Sequence, residues 1–272
     1  MKKIIVDFDN TFTEEGHDID DLIAFLYLYT RDDVIIPFVT TTFGNSTEEV
    51  VYNCTKNVFN RLDIDIPVFR GLNGEAPQEM LSYILTNDDV YLLSLGSTNN
   101  FKKLLELKDI SNKINSITLM GGVTEPLYFS GKQMNELNFS IDYESTYYVL
   151  NGFDTPNTIT GNNCLASVFT GNTMPKIKSE SHVFLEKTIT RWLDFFKLEY
   201  NYDGVVLWDV IAAMYITSPH LFTDHIDNYD INTDDLVTGY LKKSESGVAL
   251  NLPKLINPVD YTDIISDIFN TI

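Results

Sequence analysis

The residues best suited to chemistry gather at the start of the chain. An apolar run in MKKIIVDFDN ends on Asp7 and Asp9, and Asp18, Asp20 and Asp21 follow in DIDDLIAFLYLY. Residues two apart on a strand project from the same side, so Asp7 and Asp9 share one face of an extended segment. Asp20 and Asp21 open a helical pattern, where the free N–H groups and the dipole favour negative charge. Taken alone, Asp18 or Asp20 reads equally well as a helix N-cap. Carboxylates converging on one strand end repel one another and raise each other's pKa unless a cation stands among them. An oxygen-only donor set suits a hard divalent ion, Ca2+ or Mg2+.

Those acids must be held by the elements around them. Short apolar runs, KIIVDF, DVIIPFVTT, IPVF, DVYLLSLG, SITLMGG and TPNTITG, read as strands. They alternate with amphipathic stretches such as STEEVVYNCTKNVFNRL, APQEMLSYIL, NNFKKLLELK and YESTYYVLNG. Strands rich in Ile, Val and Leu between helices predict a mostly parallel sheet covered on both faces. The fold class is therefore α/β, a Rossmann-like open sheet with a more helical C-terminal half, and residues 1–272 form a single domain with no linker or repeat. Such sheets bind ligands beyond the carboxyl ends of their strands. Those ends carry Asp7 to Asn10, Thr40 to Asn45, Ser97 to Asn100, and Met120 with Gly121 and Gly122.

Composition narrows the function classes. With 19 basic and 39 acidic residues the net charge is −20, which repels nucleic acid and anionic membrane. No apolar run reaches the roughly 18 residues of a membrane span. The opening residues read as a first strand and not as a secretion signal, because acids interrupt the apolar run. Two cysteines, Cys54 and Cys164, are too few for a disulfide framework and point to free thiols in a reducing, cytoplasmic setting.

Two families resemble parts of this pattern. DFDNT looks like the nucleophile motif of haloacid-dehalogenase-type phosphatases, in which Asp7 would accept phosphate. That reading also needs a lysine and a further acidic motif at other strand ends, and neither is evident. The second resemblance is longer. DFDNTFTEEGHDIDD looks like an expanded DxDxGxDD, the opening of the nucleoside hydrolases of the inosine-uridine-preferring type. TTTFGNSTEEVVYN, LLSLGSTNNFKKLL, ITLMGG, MNELNFSIDYESTYYVL and WDVIAAMYITSPHLF resemble later blocks of that family, in family order and over roughly residues 1 to 222.

The resemblance implies calcium-dependent hydrolysis of the N-glycosidic bond of a ribonucleoside. Its ligand set, carried onto this chain, is Asp9, Asp21, Asp209 and the backbone carbonyl of Thr98. Asp9 would be the general base that takes a proton from a calcium-bound water, and Asp7 would orient Asp9 or a water. Asp20 and Asn138 would hold the ribose 2′ hydroxyl, Asp209 the 3′ hydroxyl and Glu136 the 5′ hydroxyl. Asn45 would lie beside the sugar and Met120 would pack on its face. The partners implied are a small nucleoside and further copies of the chain, as a homodimer or homotetramer.

The chain departs from the family pattern at the leaving base. A histidine often precedes the last metal-binding Asp, whereas here Trp208 does, a residue that would stack on the base. Trp192 reads as packing, and none of His17, His182, His220 and His225 matches a family motif. A calcium-dependent nucleoside binder without turnover is the alternative reading, and the choice of base stays open.

Overall fold

The computed structural model describes residues 1–172 and 174–272. Along the chain, β1 (Lys2–Phe8) leads into α1 (Asp20–Tyr29), β2 (Val34–Ile35), β3 (Val39–Thr41), α2 (Glu48–Arg61), β4 (Val68–Arg70), α3 (Ala76–Thr86), β5 (Val90–Ser94), α4 (Asn99–Leu107) and β6 (Ser116–Met120). A hairpin of β7 (Leu127–Phe129) and β8 (Lys132–Met134) precedes α5 (Tyr143–Gly152), β9 (Asn157–Ile159), α6 (Gly161–Cys164) and β10 (Val168–Phe169). The remainder runs α7 (Glu180–Tyr200), β11 (Val205–Val206), α8 (Trp208–Thr217), β12 (Phe222–Thr223), β13 (Ile226–Asp230), α9 (Thr233–Leu236), β14 (Lys242–Lys243), β15 (Val248–Asn251), β16 (Lys254–Leu255) and α10 (Thr262–Thr271).

The main sheet has the order β14-β13-β15-β9-β6-β5-β1-β3-β4, with β2 also paired to β1. From β4 through to β15 every pairing is parallel; only β13 runs against its neighbours. β1 lies inside the sheet and is buried on both faces, so its side chains divide by the period of two. Ile4, Val6 and Phe8 enter one core with α1, α2, α7, α8 and α10, while Ile5 enters the other with α3, α4 and α5. This is the α/β architecture expected from the alternating pattern.

The structure refines that expectation in two places. DVIIPFVTT is not one strand. Pro37 has no N–H to give the ladder, and the segment splits into β2, which pairs with Lys2 and Lys3, and β3, which pairs with Val6 to Phe8. The C-terminal half is helical through α7, α8 and α10, yet it also returns to the sheet as β13, β14 and β15. IDNYD buries only Tyr229, so it has none of the apolar alternation by which a strand is read. No helix among the described residues is long and apolar enough to cross a membrane.

Helix α1 is buried from Asp20 to Leu28 and packs against α8, itself buried over nearly its whole length. Phe25 of α1 is fully buried and stacked on Phe59 of α2 with ring centroids 4.6 Å apart. Phe25→Ala is expected to cost about 3–5 kcal/mol of unfolding free energy, the usual range for a buried aromatic deletion. Urea denaturation measures this, and a loss below about 1 kcal/mol would show that α1 does not need that ring.

Candidate active site

Two carboxylates on β1 are held in different ways. Asp7 is fully buried, and one of its oxygens accepts from Thr40 Oγ1 at 2.6 Å and Asn100 Nδ2 at 2.8 Å. The same amide donates to the Thr41 carbonyl at 2.9 Å, so Asp7 and Asn100 tie β1, β3 and α4 together. Burial pushes the Asp7 carboxyl up to about 7; the two hydrogen bonds oppose that and the charge of Asp9 adds to it. Asp9 lies one turn of the pleat further on, where the strand ends. Its Oδ2 accepts the Asn45 N–H at 2.6 Å, and its own N–H donates to Asp21 Oδ1 at 3.2 Å.

Backbone closes tightly around Asp9. A Cβ on Gly96 would stand 2.9 Å from the Asp9 carboxyl carbon and 2.7 Å from the Thr42 methyl, and one on Gly44 would overlap the Asp9 carboxylate itself. Only glycine fits at either place.

Asp18, Asp20 and Asp21 bring carboxylate oxygens within 4.8 Å of one another. None caps its own helix: the N-cap of α1 is Ile19, without a side-chain cap bond. Asp20 instead accepts the N–H of Asp209 at 3.3 Å, together with that of Trp208, and so serves the first turn of α8. That bond fixes α1 and α8 at a common starting point and brings Asp209 to the group. The Asn45 side-chain amide donates to Asp18 at 2.9 Å, Asp9 at 3.4 Å and Asp21 at 3.5 Å.

All these acids are pushed upward by burial first, and for Asp9, Asp18, Asp21 and Asp209 the charges of neighbouring acids add to it. Asp9 moves to about 7 and Asp20 to about 6. Asp18, Asp21 and Asp209 rise well above the usual carboxylate range, Asp21 under the combined charge of Asp9, Asp209, Asp18 and Asp20. No Lys, Arg or His lines the hollow among the described residues. The donor set is oxygen only, anionic and desolvated, which is what a hard divalent cation accepts. The cluster can hold a metal ion.

The structure groups the expected residues unevenly. Asp9, Asp20, Asp21, Asp209 and Asn45 converge. Asp18, which the sequence left as a possible cap, joins them. Thr98 is buried at the N-cap of α4, its carbonyl accepting the Lys102 N–H at 3.1 Å and its hydroxyl 3.2 Å from that of Thr146. It does not line the pocket.

Above the acids opens a cavity of about 480 Å³. Asp18, Asp20, Asp209 and Asn45 form its floor, with Met120, Glu136 and Asn138 to one side. Asn138 Nδ2 donates to the Leu95 carbonyl at 2.9 Å and the Met120 carbonyl at 3.1 Å, which leaves its oxygen free of those bonds. Glu136 is turned toward the backbone, accepting the N–H groups of Phe139 at 2.9 Å and Ser140 at 3.0 Å; burial raises it to about 7. The outer wall is aromatic. Trp208 is pinned by its Nε1 to the Gly161 carbonyl at 3.4 Å. Trp192, expected only to pack, lines the pocket with Phe195 and Tyr200, its ring stacked on Phe195 at 5.2 Å. His182 is buried against Phe269 and accepts the Lys178 N–H, away from this cavity.

The model of the inosine-uridine preferring nucleoside hydrolase family matches residues 73–247. The chain belongs to that family. It is a hydrolase acting on N-glycosyl compounds. Its fold is similar to three solved nucleoside hydrolases. A purine-preferring ribonucleoside hydrolase from Gardnerella vaginalis is 16% identical with a TM-score of 0.82, covering 98% of this chain and 96% of that one. A plant nucleoside hydrolase is 16% identical with a TM-score of 0.81 over 98% and 97% of the two chains. An inosine-uridine preferring nucleoside hydrolase from Bacillus anthracis is 16% identical with a TM-score of 0.74 over 100% of both. A search of curated protein sequences gives no match. The match begins at residue 73, so for Asp9 to Asn45 the placement rests on the fold and the acid geometry of this nucleoside hydrolase. The phosphatase reading finds no support in the same geometry: Asp7 is held by Thr40 and Asn100, and among the described residues no lysine lines the cavity.

Metal binding and pH are linked through these acids. Their folded pKa values lie above the unfolded ones, so in metal-free protein their contribution to stability is fully present below about 4 and is lost as pH rises through about 6 to 7. Ligand carboxylates must be deprotonated to bind a cation. Melting of chelator-treated protein should fall between pH 5 and pH 8, and added Ca2+ should raise it more at pH 8 than at pH 5. Equal Ca2+ effects at both values would show that the ion binds elsewhere.

Proposed function

We propose that this nucleoside hydrolase cleaves the N-glycosidic bond of a ribonucleoside with water, using a divalent cation, Ca2+, at the acid cluster. The observation that carries the reading is the meeting of Asp9, Asp18, Asp20, Asp21 and Asp209 in one buried cluster, of which Asp18, Asp20 and Asp209 reach the floor of a cavity whose outer wall is aromatic. The residues that would hold the ion are Asp9, Asp21 and Asp209, with the Thr98 carbonyl carried over from the family resemblance and Asp18 added by the geometry. A calcium ion held there would supply positive charge and would lower the pKa of a bound water, and its affinity for oxygen would suit sugar hydroxyls.

The protein groups divide the remaining work. Asp9, raised to about 7 and fixed by the Asn45 N–H, takes the proton from the attacking water. The neighbouring carboxylates stabilise the positive charge that grows on the ribosyl ring as the bond to the base lengthens. Asp20, Asp209 and the open oxygen of Asn138 accept from the sugar hydroxyls, Glu136 stands at the 5′ end, and Met120 packs on the ring. Trp208 lies against the base. Asp7 acts through the scaffold, by keeping β1, β3 and α4 in register behind Asp9. The two free, buried cysteines agree with a reducing compartment such as the cytoplasm. A dimer or tetramer follows from the family resemblance alone.

Incubation of the protein with mixed ribonucleosides and Ca2+ should release free base and ribose, read by chromatography. Nucleoside-dependent stabilisation without product would establish a binder instead. Asp9→Ala should lower kcat by about 10²–10⁴-fold with the circular dichroism spectrum unchanged; substantial residual turnover would remove Asp9 from the role of base. Trp208→Ala should raise KM for the nucleoside and Trp208→Phe should restore most of it, whereas equal effects of the two would rule out ring stacking.

A further inference from the structure

Positive charge is scarce in this chain, and its distribution is uneven. There are four arginines, Arg31, Arg61, Arg70 and Arg191. Arg31 pairs with Asp33 at 2.9 Å and Arg70 with Glu48 at 2.6 Å. The other two line one groove together with Lys187. Among the described residues none of these three cations has a carboxylate within 4.0 Å.

The groove has a volume of about 480 Å³ and lies between the C-terminal turn of α2 and the N-terminal half of α7. Lys187 and Arg191 are one turn apart on α7, a spacing at which like charges repel. Arg61 sits in the last turn of α2, where the helix dipole favours a cation. That accounts for its charge but not for its company. Its guanidinium lies over the Phe184 ring, 4.0 Å from the centroid, which holds the group in a defined orientation. The Thr188 hydroxyl and the Phe184 ring complete a polar and an apolar side. Glu180 also lines the groove, and Glu14 and Glu15 line the smaller cleft that shares Arg191. In a protein of net charge −20, three cations without acid partners around one concavity suit an oxyanion, which guanidinium groups bind through paired N–H donors.

We propose that the groove of Arg61, Lys187 and Arg191 is an oxyanion-binding site that takes a phosphoryl group, either free phosphate or the phosphate of a small ester. The site is separate from the acid cavity and does not depend on the reaction assigned there. It does share a helix with it: Arg191 faces the groove while Trp192 lines the nucleoside pocket.

Isothermal titration of the intact protein with inorganic phosphate and with ribose 5-phosphate, at low ionic strength and without added metal, tests this directly. Saturable binding of either is expected, weakened roughly tenfold or more in Arg191→Gln and in Lys187→Gln, the usual scale for losing a hydrogen bond to a charged group. Tighter binding of the ester would identify the ligand as a phosphate ester, and equal binding would identify it as phosphate itself. Both side chains are exposed, and turnover of an uncharged nucleoside should survive both changes. No saturable binding, or binding that both variants retain, would mean that the cations only balance Glu14, Glu15 and Glu180, and would overturn the proposal.

Discussion

The arrangement is governed by the mutual repulsion of carboxylates kept away from water. Two unit charges 4 Å apart interact by about 4 kcal/mol at the effective dielectric of a protein surface, and more strongly where water is excluded. Asp9, Asp18, Asp20, Asp21 and Asp209 form such a group, and each of them has its pKa raised. What offsets the repulsion is mostly main chain: the N–H groups of Asn45, Asp209 and Trp208 and the positive ends of α1 and α8, joined by the side-chain amide of Asn45. These donors moderate the charge but do not neutralise it. The remainder falls to protons or to a cation, and this is why metal affinity, pH and stability are one linked property here.

The scaffold can be seen as the means of holding that unfavourable group. β1 runs through the interior, so the strand end cannot yield. Asp20 joins the starts of two buried helices, and the glycines at 44 and 96 let backbone close over Asp9. The pocket above is softer in origin. Its aromatic wall belongs mostly to α7, with Trp208 from α8, and α7 is tied to the β7–β8 hairpin by Phe129 against Phe196 and Tyr200, and by Lys132 paired with Glu199 at 2.9 Å. The aromatic wall therefore depends on side-chain packing between α7 and the hairpin, while the acid site depends on the central sheet.

That division explains what could be read from the chain. The parallel sheet was legible because Ile4, Val6 and Phe8 on one side and Ile5 on the other are apolar for a structural reason, and strand ends then indicated where ligands bind. The convergence of Asp9, Asp21 and Asp209 followed from family order more than from physics, since nearly two hundred residues separate the first acid from the last. Asp18 was obscured because an acid before a helix has an ordinary use as a cap. Trp192, Phe195 and Tyr200 were obscured because an aromatic stripe on a helix looks the same whether it faces a core or a cavity. The strands β13 to β15 went unread because a strand near the sheet margin such as IDNYD, with only the two-residue β14 beyond it, carries little apolar surface.

Those last strands have a consequence for what the borders of the sheet offer to another chain. The sheet terminates at one border in β14, two lysines long, and at the other in β4, three residues closed by Arg70. Short charged borders give an approaching strand too few free amide and carbonyl groups to pair with. Growth into fibrils through backbone ladders of the main sheet is thereby discouraged at both margins.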